Sequence, residues 1–384
     1  MAVDRGLIER LFGQIIACGP RAVGSVGEGR AAQVIEGWFA EDGLHPFRQE
    51  FTISRWPLVA ASRIVPTVAA AGLVLAALVY PTAGWATGLI AVGLVVSLVA
   101  VQRWHHFGER LFDYGRQVPC ANVIGRSKGA EGTAALVAMA HYDTKSQVLP
   151  ILLRVVGIGM AALSAAGLVV LSVLAVAGLA VDPVFVWFVA GVGVVGLLGQ
   201  ILNLSGNESI GAMDNASGLA VIGALARELP SRLDGRVDLW VVATGAEELG
   251  LGGALRFAQR YGKELDRGRT VCVNFDTVGT GGVVYMIGSR REGDFGEVLR
   301  RRLEDRGFSV RRAKGVIGVG VDHMRLSAAG FAAWSLTQGP LRLTARIHTP
   351  ADRAELVRSD DLSRMVDAVV EAAGELAEGK VICG

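Results

Sequence analysis

The chain has 384 residues, 51% of them hydrophobic and 19% charged, with a formal net charge of +2. It is more apolar and less charged than an ordinary soluble domain, and its charge balance argues against a nucleic-acid partner. The length allows one large domain or two ordinary ones.

The N-terminal run MAVDRGLIERLFGQIIACG is charged and amphipathic. It lacks the uninterrupted apolar core of a secretory signal peptide. The next element, HPFRQEFTI, reads as a strand. No Asp, Glu, Lys or Arg occurs from Ile64 to Gln102, and YPTAGW inside that stretch is a turn signal with flanking aromatics. Two spans are expected there, near 60–80 and 85–102. ANVIGR and TAALVAMAH follow as apolar strands. Two further uncharged stretches, Val155–Val181 and Pro183–Asn207, meet at VDP. Each is long enough for a helix across a bilayer. The reading is therefore four transmembrane helices in two hairpins, 57–102 and 151–204. The polar segments 1–56, 103–150 and 205–384 together form one discontinuous domain.

Beyond the second hairpin, helices are expected at 216–228, 249–262, 293–306, 322–329 and 358–378. Strands are expected at 236–243, 270–275, 283–288, 308–312 and 332–337. Alternating strands and helices predict an α/β fold with a mixed, mostly parallel sheet flanked by helices. Hairpins return the chain to the side it left, so the polar segments share one face. The far loops PTAG and VDP contain no Lys or Arg, whereas the near flanks contain Arg55, Arg63, Arg103, Arg110, Lys145 and Arg154. The positive-inside rule then predicts a cell-membrane protein with its polar domain in the cytoplasm. Cys18, Cys120, Cys272 and Cys383 show no CxxC or CxH pattern and read as buried or free thiols.

Acidic residues and histidines recur where apolar runs end. His141 and Asp143 follow AALVAMA, Glu247 and Glu248 follow VDLWVVATGA, and Asp276 follows TVCVNF. In open α/β sheets ligands gather at the carboxyl ends of strands, so these ends aim N and O donors at one crevice. Asp214 in GAMDNASG and His348 in RIHTPADR lie in turns. Each of these is weak taken singly. DNASG also suits a helix cap, and a Glu pair before a helix also favours its dipole. Together, His, Asp, Glu, Asp and His suit zinc or a similar divalent ion such as Co2+ or Mn2+. Asp214, Glu248 and Asp276 carry three negative charges, so two divalent ions and a bridging hydroxide would make the site neutral. Glu247 is then a spare carboxylate beside metal-activated water, suited to general base work, and Asp143 orients His141.

These residues, in this order, resemble the M28 family of dinuclear zinc peptidases. The resemblance rests on HYD, DNASG, GAEELGLGGA, NFDTVG, VDH and HTPADR. It implies that His141 and Asp276 hold one Zn2+, that Glu248 and His348 hold the other, and that Asp214 bridges. It implies a cis Asp214–Asn215 bond, Glu247 as catalytic acid/base and Asp143 as a supporting carboxylate. Asp322 and His323 in VDHMRL match the family more loosely and are expected near the substrate, with helix capping as the alternative. Thr277 and Ile347, beside two ligands, are expected to line the side-chain pocket. The implied activity is aminopeptidase action on peptides, with carboxypeptidase or dipeptidase action as the alternative. Glutaminyl cyclases share the fold with one zinc and lack the first metal histidine, so His141 favours hydrolysis. The departure from secreted relatives is the lipid bilayer. Asp143 to Ile151 spans at most about 27 Å of extended chain, which keeps the metals close to the membrane.

A non-catalytic M28-like scaffold is disfavoured because the ligand set is filled. A transporter is disfavoured because the spans carry no internal charge. Gly84-x-x-x-Gly88 predicts close helix packing, within the chain or between copies as a homo-oligomer.

Overall fold

The structure, a computed structural model, describes residues 3–104, 108–179, 181–288, 294–313 and 320–381. The chain divides into two units. The first comprises Met1–Ser54, Arg116–Ser146 and Gly206–Gly384, and the second Arg55–Gly115 and Gln147–Ser205.

The strands in chain order are β1 (Phe47–Ser54), β2 (Gln117–Ser127), β3 (Ala134–His141), β4 (Ser146–Gln147), β5 (Ser205–Gly206), β6 (Val237–Thr244), β7 (Thr270–Phe275), β8 (Val284–Gly288), β9 (Val310–Ala313) and β10 (Ala332–Gln338). Eight of them form one sheet in the order β1-β2-β6-β3-β7-β10-β8-β9. β6, β3, β7 and β10 are successively parallel, as are β8 and β9. β1–β2, β2–β6 and β8–β10 are antiparallel. The sheet is mixed and mostly parallel, as the alternation of elements predicts.

Helices cover both faces: α1 (Arg5–Ile16), α2 (Val26–Glu41), α8 (Ser217–Leu233), α10 (Asp294–Asp305) and α13 (Ser359–Ala377) on one, α9 (Gly252–Tyr261) and α11 (His323–Ala328) on the other. The period-two alternation of β3 explains how. Leu136, Ala138 and Ala140 join the first core, and Ala135, Val137 and Met139 join the second with Phe257 and Leu326. The strand expected at 270–275 has those bounds. The helix expected from 249 starts only at Gly252, because Glu247 to Leu251 close a tight turn in which Gly250 and Leu251 donate to the Glu247 carbonyl.

In the second unit the short α3 (Trp56–Val59) precedes α4 (Val65–Val79), α5 (Gly84–Trp104), α6 (Ile151–Val176) and α7 (Pro183–Ile201). These four pack as a closed ring, α4 on α5, α5 on α6, α6 on α7 and α7 on α4. Its centre is built mostly from small residues, among them Ala69, Ala76, Ala161, Ala165 and Ala190. Gly157 and Gly196 permit the close approach of α6 and α7, since a Cβ on Gly196 would lie 2.3 Å from the Gly157 carbonyl oxygen. Large apolar side chains point outward instead. Among the described residues every exposed large hydrophobic except Val26 belongs to this unit.

Among the described residues, three helical segments suffice by length and composition to cross a membrane: Ser62–Val79, Ile151–Val176 and Pro183–Ile201. Four were expected. For the fourth, the described apolar part is Gly84–Ser97 of α5. Gly84 and Gly88 face Ala175 and Ser172 of α6 in the same chain. Their close packing is made within the chain.

Candidate metal centre

β6, β3 and β7 lie side by side and parallel, so their carboxyl ends share one edge. His141 closes β3, Glu247 and Glu248 stand in the turn after β6, and Asp276 follows β7. Asp214 lies in the turn Ala212–Ala216 that leads into α8. That turn starts from Gly211 at φ +53, where a Cβ would meet the Asp214 carbonyl oxygen and Thr144 Cγ2 at 2.3 Å. The Asp214–Asn215 bond is cis. Among the described residues five non-glycines have positive φ, and three of them (Ala246, Thr277 and His348) are at or beside candidate donors.

Two donor groups form there, His141–Asp214–Asp276 and Asp214–Glu248–His348, each with its ligand atoms within 4.8 Å of one another. Asp214 belongs to both. Its Oδ1 is 2.9 Å from His141 Nε2 and its Oδ2 is 3.0 Å from His348 Nε2. Asp276 Oδ1 is 3.9 Å from His141 Nε2, and Glu248 Oε1 is 3.1 Å from His348 Nε2. His141 Nε2 and Glu248 Oε1, one in each group, are buried and make no hydrogen bond. Buried polar atoms are normally satisfied, so such a pair aimed at a shared carboxylate points to a ligand.

Glu247 is buried beside both groups. Burial pushes its carboxyl well above the usual range; His141 opposes this, while Glu248, Asp322 and Asp276 add to it. Burial and then Asp214 raise Asp276 to about 7. Burial also acts to raise Glu248, but His348 and Lys145 hold it down to about 2. A divalent ion at these groups would pull every one of the carboxylates down. The Asp143 carboxylate accepts from the backbone N–H of Glu247 at 2.9 Å and of Glu248 at 3.0 Å. Its carbonyl oxygen, not its carboxylate, is the atom 3.0 Å from His141 Nδ1; the carboxylate lies 3.8 Å away. It therefore orients the Glu pair directly and His141 through the main chain.

A family model, Peptidase family M28, matches residues 122–373. The chain belongs to peptidase family M28. The solved structures it resembles include a zinc aminopeptidase from Bacillus subtilis, at 16% identity and TM-score 0.58, over 99% of this chain and 96% of that one. An aminopeptidase from Aneurinibacillus sp. strain AM-1 matches at 15% identity and TM-score 0.60, over 100% and 95%. A glutaminyl cyclase from Fimbriiglobus ruber matches at 15% and TM-score 0.56, over 97% and 96%. These likenesses are of fold. No curated protein sequence matches.

For an M28 chain the donor chemistry fits zinc, since each group supplies one imidazole nitrogen and two carboxylates. Thr277 donates to Asp276 Oδ1 at 3.1 Å, and Ile347 is half-buried next to His348. Asp322 does not cap α11; one of its oxygens accepts from Thr244 Oγ1 and the other, buried, has no hydrogen bond. His323 Nδ1 lies 2.7 Å from Ser335 Oγ, which also accepts from Asn274, and burial lowers its ring to about 4.

Three residues escaped the sequence reading. Lys145, read there as a membrane flank, places its Nζ 2.5 Å from Glu248 Oε2. Its one sequence signal was a position four residues after His141. Asp352, inside the HTPADR motif, accepts from the backbone N–H of Met213 at 2.7 Å and of Asp214 at 3.2 Å. Arg21, fully buried, donates to the carbonyls of Tyr142 (2.7 Å), Ile210 (2.7 Å) and Gly211 (3.1 Å). It ties the chain after His141 to the chain before Asp214. Replacing it (Arg21→Met) strands three carbonyls and is expected to cost roughly 3 kcal/mol or more. A thermal melt of the purified chain that shifted by less than a degree would refute that role.

Proposed function

We propose that the chain is a membrane-anchored dinuclear zinc aminopeptidase. Residues 1–56, 103–150 and 205–384 form the peptidase domain, and 57–102 and 151–204 form two transmembrane hairpins. The observation that carries the catalytic part is the pair of donor groups sharing Asp214, with Glu247 buried beside both. His141 and Asp276 would hold one ion and Glu248 and His348 the other, with Asp214 shared between them. Zinc bound there supplies Lewis-acid polarisation of the scissile carbonyl and activation of water. Glu247 takes the proton from the attacking water and delivers it to the leaving amine. Asp143 keeps Glu247 and Glu248 in place through their two N–H groups. Thr277 and Ile347 line the side-chain pocket, and Asp322 and His323 stand near the substrate.

The glutaminyl cyclase likeness leaves hydrolysis as the better reading, because His141 completes the first donor group. The bundle with small residues inside and large apolar ones outside supports burial in lipid. α5 runs 21 residues and the chain is uncharged to Gln102, which supports a fourth span. With Lys145 engaged by Glu248, the basic flank that supports a cytoplasmic catalytic domain is Arg55, Arg63, Arg103, Arg110 and Arg154.

Sealed inside-out vesicles test the whole proposal. Membrane-impermeant peptides with a free amino terminus should be cleaved without detergent, and their N-acetylated counterparts should not. Preference for blocked peptides would overturn the aminopeptidase reading. Cleavage only after permeabilisation would overturn the orientation.

A further inference from the structure

The chain after Asp276 and the chain before His348 run side by side. β7 and β10 are parallel neighbours, and their pairing continues past the strand ends: the Asp276 N–H donates to the Leu336 carbonyl at 3.1 Å and the Gln338 N–H to the Thr277 carbonyl at 2.8 Å. Two polar side chains lie at this seam. Gln338 accepts from the Gly279 N–H through Oε1 at 2.7 Å, which fixes its amide and leaves Nε2 as the other end. That Nε2 and the Thr280 hydroxyl are buried and make no hydrogen bond. The two residues are only 3% and 7% exposed, and neither belongs to a metal donor group. Buried polar groups are normally paired, so this donor and this hydroxyl mark a place for a polar ligand. The seam also has room. A Cβ on Gly339 would stand 3.7 Å from Thr344 Oγ1 and 4.0 Å from Thr280 Oγ1, and one on Gly282 would stand 4.0 Å from Pro340 Cδ, all ordinary contacts. Thr277 and Ile347, the two residues assigned to the side-chain pocket, belong to the same two segments.

We propose that Gln338 and Thr280 set the specificity of that pocket, and that it takes an N-terminal glutamine or asparagine. The inference rests on the aminopeptidase reading and names its substrate class. A carboxamide matches the pair atom for atom: its carbonyl oxygen accepts from Gln338 Nε2 and its NH2 donates to Thr280 Oγ1. A methionine or leucine side chain of similar size would leave both groups buried and unpaired, which costs about tenfold or more in binding. A carboxylate could accept from both, but it would bring a charge against two neutral groups away from water. Both atoms are sealed from solvent, so the 339–347 segment shifts outward for a side chain to reach them.

The test is kcat/KM of the zinc-loaded full chain on peptides that differ only in their N-terminal residue. Glutamine should exceed methionine, and asparagine should exceed leucine, by about tenfold or more. Thr280→Val, which keeps the volume, and Gln338→Met should each pull those ratios toward one. A thermal melt gives a readout independent of turnover. Free L-glutamine should raise the melting temperature of the unaltered chain more than L-methionine does, and Thr280→Val should lose that difference. A preference for methionine or leucine, or for glutamate over glutamine, overturns the inference. So do ratios and melts that neither substitution changes, the result expected of a buried water that only bridges the two groups. If Gln338→Met does not fold, because the Gly279 N–H loses its acceptor, Thr280→Val decides. Cleavage of no free-amine peptide, with the glutamine-dependent melt intact, would instead remove the aminopeptidase reading and leave the pocket standing; without that melt, both fall.

Discussion

Replacing Glu247 by glutamine is expected to lower turnover about 10²- to 10⁴-fold while leaving the bound metal unchanged. Glu247 belongs to neither donor group, yet it is buried beside both, among Glu248, Asp322, Asp276 and His141. Glutamine keeps the volume and one acceptor oxygen but cannot take a proton. The turn that presents it is held by the backbone: the residue 247 N–H donates to Asp143 whichever side chain it carries. A loss of metal together with activity would place Glu247 among the ligands. Full activity with metal retained would sink it as the proton carrier. Single-turnover rates on a free-amine peptide, alongside metal analysis of the same sample, separate the two.

Asp214→Asn is expected to have the widest effect on metal. One carboxylate faces both histidines, Oδ1 toward His141 and Oδ2 toward His348. Asparagine presents one oxygen and one NH2, so whichever way the amide turns, one position gains a donor where it needs an acceptor. Both positions also lose the shared negative charge. Bound zinc should fall from about two equivalents to less than one, and hydrolysis with it. His348→Ala, by comparison, should lose only the ion that Glu248 also holds. Retention of two equivalents in Asp214→Asn would disprove the bridge. Because Asp352 binds the N–H groups of Met213 and Asp214, the backbone of the turn should survive the substitution, and the circular dichroism spectrum should be unchanged.

Much of the site was legible because each donor stands at a strand end or in a turn marked by its own neighbours. His141 directly ends an apolar strand, Asp276 directly follows another, and the Glu pair opens the turn before α9. A parallel arrangement of β6, β3 and β7 then brings those ends together with no further instruction. Lys145 shows where such reading stops. It lies between a metal motif and an apolar helix, and local sequence favours the membrane flank. Only the folded chain, which brings residue 248 across from another strand, pairs it with one of the donors. Arg21 is a stronger case, since three of its acceptors lie 121 to 190 residues away in sequence.

Apolar periodicity, strand-end chemistry and turn motifs, all local properties, thus determined the mixed α/β class, most helix and strand positions, the apolar helices and the candidate donors. The tertiary structure alone decided which oxygen meets which nitrogen, that Asp214 serves both donor groups, and that Arg21 and Asp352 hold its turn. It also decided that Lys145 pairs with Glu248 and that Gly84 and Gly88 pack inside their own bundle. Those outcomes depend on distances between residues far apart in sequence. Such distances are set by close packing and by the need to satisfy buried polar groups.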